Sequence, residues 1–109
     1  VDRITFYQTE GNELRGIDSN SVDIIFSIHS LMRIDRNDLE KYFLEFKRIL
    51  KPRGKAIVHL PSISKRGCQM LGFTYLTPSH IKNMADGNFM DFRMHNNLLS
   101  TGVILEGTR

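Results

Sequence analysis

Four histidines, one cysteine and a scatter of carboxylates are the groups in this 109-residue chain that could do chemistry. His29, His59, His80 and His95 lie too far apart for any His-x-x-x-His pair to put two imidazoles on one helix face around a metal. Cys68 stands alone, which excludes a disulfide within the chain and a multi-thiolate zinc site. It fits a reducing compartment, so a cytoplasmic protein is expected. No nucleophile elbow, phosphate loop or paired-carboxylate motif occurs. General acid–base work at one histidine remains. His29, directly after an apolar run, would serve only with a substrate proton within hydrogen-bond reach. The alternative is a loop histidine with no special role. His59 reads as a satisfied core or edge histidine, and His80 and His95 as surface residues.

The elements that must position His29 read clearly in the middle of the chain. Val22-Asp-Ile-Ile-Phe-Ser-Ile28 is near-continuously apolar, the pattern of a strand covered on both faces, as in a parallel sheet. Leu39, Tyr42, Phe43, Phe46, Ile49 and Leu50 recur at helical spacing along one stripe. Asp35 is placed to cap that helix, and Pro52 and Gly54 to stop it. Glu45 and Arg48, three apart, are expected to pair on it. Lys55–Leu60 is the next strand. Strand, helix, strand implies a parallel pair joined by a crossover.

Around this unit, Ile4–Gln8 is β-branched and aromatic and predicts a short strand. Pro61–Tyr75 reads as a loop with a turn of helix near Cys68–Leu71. Thr77-Pro78 opens a helix that Asp86-Gly87 ends. Phe89–Met94 and Thr101–Glu106 are the last strands, a hairpin turning at Asn96-Asn97. Asp23, the one charge within an apolar strand, either supports the loop bearing Glu10 or binds near a cofactor, or it takes backbone amides from the Ser19–Ser21 turn. The five methionines read as gap-filling core residues.

Length and composition allow one small domain. A net charge of +3 with dispersed basic residues, and no aromatic ladder among them, argues against a nucleic-acid partner. No run is apolar and long enough to span a bilayer as a helix, and no signal peptide is seen, so no membrane partner is expected.

Several motifs in order resemble the class I S-adenosylmethionine-dependent methyltransferase family from its third strand to its seventh. Thr9-Glu-Gly-Asn-Glu-Leu14 is similar to the loop after strand 3, Ser21–Ser27 to the fourth-strand motif, and Leu31-Met-Arg-Ile34 to a Leu-His-His-Ile position. Glu45, Arg48–Pro52 and Gly54 match Glu-x-x-Arg-Val-Leu-Lys-Pro-Gly-Gly. Phe73–His80 and Gly87–Phe89 are like the entries to the last helix and to strand 6. The resemblance implies an α/β fold: a truncated Rossmann-like methyltransferase sheet, mostly parallel with a C-terminal antiparallel hairpin. It implies S-adenosylmethionine as cofactor and a small-molecule methyl acceptor. It puts Glu10 and Gly11 at the adenine, Ser27 and Ile28 at the cofactor's edge, and His29 or Arg33 toward the acceptor.

The departures from the family pattern carry their own expectations. No Gly-x-Gly-x-Gly occurs in the chain, and the acidic residue that ends strand 2 has no counterpart. Residues 1–109 are therefore expected to form a single partial domain without the glycine-rich cofactor-binding half, inactive alone. Val at position 1 fits an upstream piece that is not represented. Arg53 replaces the first glycine of Pro-Gly-Gly, where a side chain requires a negative φ. The fourth strand becomes a sheet edge. Ile4–Gln8 then pairs with it in a non-family way, or a homodimer closes the gap. The alternative function is a non-catalytic methyltransferase-like remnant acting as a dimerisation or interaction module.

Overall fold

The computed structural model describes residues 3–9, 13–62, 64–99 and 102–109. Along the chain come β1 (Val22–Ser27), α1 (Arg36–Ile49), β2 (Leu50–Leu60), α2 (Lys65–Leu71), α3 (Pro78–Asn88), β3 (Asp91–Leu99) and β4 (Gly102–Thr108). The strands form one sheet in the order β1-β2-β4-β3. β1 and β2 are parallel, with Ile25 opposite Ala56 and Ser27 opposite Val58. β4 is antiparallel to both its neighbours. β3 therefore runs the same way as β1 and β2, which gives the mostly parallel sheet with a closing antiparallel hairpin that the motifs imply.

The helical stripe does what its spacing predicts. Leu39, Phe43, Phe46 and Ile49 of α1 are buried. Leu39, Phe43 and Phe46, with Ile81, Met84 and Ala85 of α3, cover one sheet face, made of Ala56, Val58, Leu60, Val103 and Leu105. A fully buried side chain of this size contributes about 1.5–3 kcal/mol, so this layer carries most of the stability. α3 begins with a reciprocal cap. Thr77 Oγ1 accepts the His80 N–H at 3.1 Å, and His80 Nδ1 accepts the Thr77 N–H at 3.2 Å. His80, read as a plain surface residue, is thus a capping group.

Glu45 and Arg48 pair as expected, at 2.9 Å, and reach further. Arg48 donates to Leu14 O at 3.0 Å and Ile17 O at 2.8 Å, while Glu45 accepts the Leu14 N–H at 2.8 Å. The Arg48 guanidinium holds the Glu45 carboxyl below the usual carboxylate range, although burial pushes the other way. The pair clasps the chain that enters β1. Asn20 and Ser21 N–H then bond to Arg48 O and Ile49 O at 2.9 and 2.8 Å.

Several expectations give way to the tertiary structure. Ile4–Gln8 forms no strand, and Phe6 is 91% exposed, because no described strand lies beside it to satisfy its amides. β1 is a sheet edge, but only one of its faces is covered. Ile24 and Phe26 are 63% and 70% exposed, since both long helices pack on the opposite side. Asp23 takes no turn amides and instead faces solvent, 3.4 Å from Lys51 Nζ. α3 runs past Asp86-Gly87 to Asn88, whose side-chain amide donates to Met84 O. β3 passes through Asn96-Asn97 to Leu99, so the hairpin does not turn there. Of the methionines, Met32 and Met84 are buried, while Met70 and Met90 are exposed.

Arg53 is a further correction. Its φ is +68°, in the left-handed region. β2 carries extra residues between the Val22–Leu50 and Ile24–Lys55 partners, and this bulge must turn sharply. Arg109 locks it: Arg53 N–H bonds to Arg109 O, Arg109 N–H bonds to Gly54 O, and the Arg109 side chain donates to Asn20 and Leu50 O. Left-handed backbone costs a side chain about 1–2 kcal/mol, and glycine gives back about 0.5–1 kcal/mol in unfolded-state entropy. Arg53→Gly should therefore raise stability by about 0.5–1 kcal/mol. Urea unfolding at constant slope measures it, and a lower midpoint contradicts the strain.

Candidate functional site

Ligands of open α/β sheets settle beyond the carboxyl ends of the parallel strands. At the end of β1 the chain turns through His29, whose φ is +58°. Non-glycine residues hold such a conformation only where surroundings enforce it. The enforcing group here is His59 of β2, whose Nδ1 accepts the His29 N–H at 3.1 Å. The two rings meet edge to face, with centroids 4.4 Å apart.

By strand alternation His59 points away from the helices, onto the face where Ile24 and Phe26 are bare. It is nevertheless 0% exposed. The turn at His29 covers it from one side and β4 from the other. A Cβ at Gly102 would lie 2.1 Å from Leu60 O and 3.0 Å from His59 Nε2, so only glycine lets β4 pass. An Nδ1 that accepts leaves the proton of the neutral ring on Nε2. That Nε2 is buried with no hydrogen-bond partner among the described residues. His59 is thus the core histidine expected, but only half satisfied. Burial, helped by the neighbouring His29, lowers its pKa and keeps it neutral.

Beyond His29 a cavity of about 380 Å³ opens, lined by His29, Ser30, Met32, Arg33 and Phe73. Its walls are two loops zipped together. Thr74 N–H bonds to Met32 O at 2.8 Å and Thr74 Oγ1 to Ile34 O at 2.6 Å. α2 ends at Gly72 with a left-handed φ of 69°, which swings Phe73 back toward the loop after β1. Arg33 lies over the Phe73 ring, 5.8 Å from its centroid, and donates to Leu71 O at 3.3 Å. A larger cleft of about 610 Å³, including Arg36, Glu40, Leu44 and His80, lies between α1 and α3. It follows the helical layer rather than the strand ends, so the smaller cavity is the candidate site.

Of the residues singled out in the sequence, His29 and Arg33 meet in this cavity. Ser27 and Ile28 stand just before it, half-buried at the end of β1, outside its lining. Glu10 and Gly11 lie outside the described residues. Sequence reasoning gave Phe73 no role at the site and did not link His59 to His29. Phe73 comes from a weakly patterned loop. The apolar neighbours of His59 marked it as core, and nothing local linked it to a backbone amide 30 residues away. Among the described residues no cluster of His, Cys, Asp and Glu could hold a metal ion.

Residues 1–58 match a family model described as a methyltransferase domain. No curated protein matches the sequence. Among solved structures, the PH0226 protein of Pyrococcus horikoshii aligns with 98% of this chain and 60% of its own, at 14% identity and a TM-score of 0.72. A candidate O-methyltransferase from Nostoc punctiforme aligns with 85% of this chain and 33% of its own, at 17% identity and a TM-score of 0.63. Phosphoethanolamine N-methyltransferase 2 of Haemonchus contortus, solved with phosphomonomethylethanolamine and S-adenosylhomocysteine, aligns with 72% of this chain and 20% of its own, at 23% identity and a TM-score of 0.60. At these identities the likeness is one of fold. The chain spans less than two thirds of the length of each of these structures.

The buried neutral His59 ties stability to pH. Its folded pKa is lowered, so below about pH 6.5 the unfolded chain takes up a proton that the folded chain refuses. Stability contributed by His59 is complete above that pH and is lost progressively as pH falls. Urea midpoints between pH 7.5 and pH 5 should decline more steeply for the natural chain than for His59→Gln. Equal slopes contradict a buried neutral imidazole.

Proposed function

We propose, since the chain belongs to the methyltransferase-domain family, that it carries the acceptor side of an S-adenosylmethionine-dependent methyltransferase acting on a small molecule. The cavity at the carboxyl ends of β1 and β2 is the observation that carries this reading. Methyl transfer from a sulfonium requires chiefly a nucleophile held in line with the methyl group, so a pocket that orients the acceptor is the contribution asked of these residues. His29 stands at its rim as the candidate base, and Arg33 as the group that fixes the acceptor. Ser27 and Ile28 would border the cofactor, and Glu10 and Gly11 would meet its adenine.

The described residues fit one wall of a cofactor site and not the whole. The 109 residues hold no glycine-rich loop and no counterpart to the ribose-binding carboxylate. The open edge of β1 and the bare Ile24 and Phe26 are where a glycine-rich strand–helix unit would complete the sheet. Calorimetric titration with S-adenosylmethionine tests this. The 109-residue chain should show no micromolar binding, and the chain fused behind such a unit from a family member should show it. Micromolar binding by the chain alone overturns the need for a second unit. Failure of the fused chain overturns the cofactor.

The second reading, a non-catalytic module that dimerises, is favoured by the same strand edge. Antiparallel partners must point to one face. A two-fold axis through Ile25 satisfies this, setting Ile24 of one copy opposite Phe26 of its partner on the bare face. Light scattering then gives a dimer mass that Phe26→Asp returns to the monomer. A monomer at all concentrations removes this reading.

A further inference from the structure

We infer that the cavity beyond β1 recognises an oxyanion, so that the acceptor carries a carboxylate or phosphate. This rests on the acceptor-side reading above and deepens it by naming the substrate class. Among the described residues the lining pairs one permanent cation, Arg33, with one imidazole, His29, and includes no carboxylate. Ser30 Oγ is turned back on Ile28 O at 3.2 Å, so recognition falls to Arg33 and His29.

Arg33 is built for the task. Its guanidinium is held on one side by the Phe73 ring and at one nitrogen by Leu71 O, which spends one of five N–H donors. A planar fork fixed in this way loses little further freedom when it grips a two-oxygen edge. Thr74 holds the two loops together through Met32 O and Ile34 O, so the ring and the fork keep their spacing without a ligand. A cationic acceptor would meet Arg33 with no carboxylate among the described lining residues to offset the repulsion. At about 380 Å³ the cavity lies near the lower end of small-molecule sites, which fits a compact acid.

The test reads binding directly on this chain. Amide shifts are followed by NMR at constant ionic strength while inorganic phosphate, acetate or ethanolamine is added. Phosphate or acetate should shift the amides of His29–Arg33 and Phe73 saturably, and the better of the two identifies the group recognised. Arg33→Gln should weaken that binding about tenfold, the loss of one charge-assisted contact. Arg33→Lys should fall between them, and an unchanged Leu105 amide reports that each variant is folded. Ethanolamine binding at the same amides, no saturable shift with either anion, or an affinity indifferent to Arg33→Gln overturns the inference. The readout needs no S-adenosylmethionine, so its failure leaves methyl transfer to a neutral or cationic acceptor standing. A failed cofactor titration leaves the anion site standing in turn.

Discussion

Arg48 ties the chain that enters β1 to the helix that leaves it. Its guanidinium is shared between Glu45 on its own helix and the carbonyls of Leu14 and Ile17, 31 to 34 residues upstream. Hydrogen bonds to charged groups are worth about 1.5–3 kcal/mol in good geometry, and partial exposure reduces that. The value here is geometric as much as energetic. Because the clasp sits on the last turn of α1, it sets where Ser21 meets Ile49 and hence how β1 aligns with β2. A parallel pair has no tight turn to set its register, so the contact must come from elsewhere. The spacing of Glu45, Arg48, Pro52 and Gly54 is accordingly one mechanical unit: a pair that holds the entering chain, then a bulge that starts the next strand.

That alignment decides the geometry at the far end. With Ser27 opposite Val58, the residue after β1 falls beside His59. The buried imidazole takes the His29 amide and enforces a backbone conformation that His29 would not adopt alone. Arg33 is then brought against Phe73 by two loops that meet only because β1 and β2 end together. A half-satisfied buried histidine and a left-handed histidine side by side cost free energy, and such strain gathers where a site must keep its shape.

The sheet is sided. Helices α1 and α3 bury one face, while on the other the apolar Ile24 and Phe26 remain bare beside a strand edge that is unpaired among the described residues. Edges of this kind are normally blunted by charge, proline or cover. β1 has only Asp23, itself drawn to Lys51. This asymmetry is the common root of both functional readings, since a completing unit and a second copy would each use the same surface.

The sequence by itself determined the elements whose pattern is local: the β1–α1–β2 crossover, the core stripe of α1, the Thr77-Pro78 start of α3, and the final antiparallel strand. Side-chain periodicity and capping report on neighbours a few residues away, which is why these were legible. It also singled out His29 and Arg33, which line the candidate cavity, through motif order rather than contact. Only the tertiary structure decided that Ile4–Gln8 stays out of the sheet, that β1 is covered on one face, that Arg53 turns left-handed, and that His59 and Phe73 shape the site. Each of these depends on which distant backbone or ring lies opposite, and that is set by strand register and loop closure rather than by local residue preference.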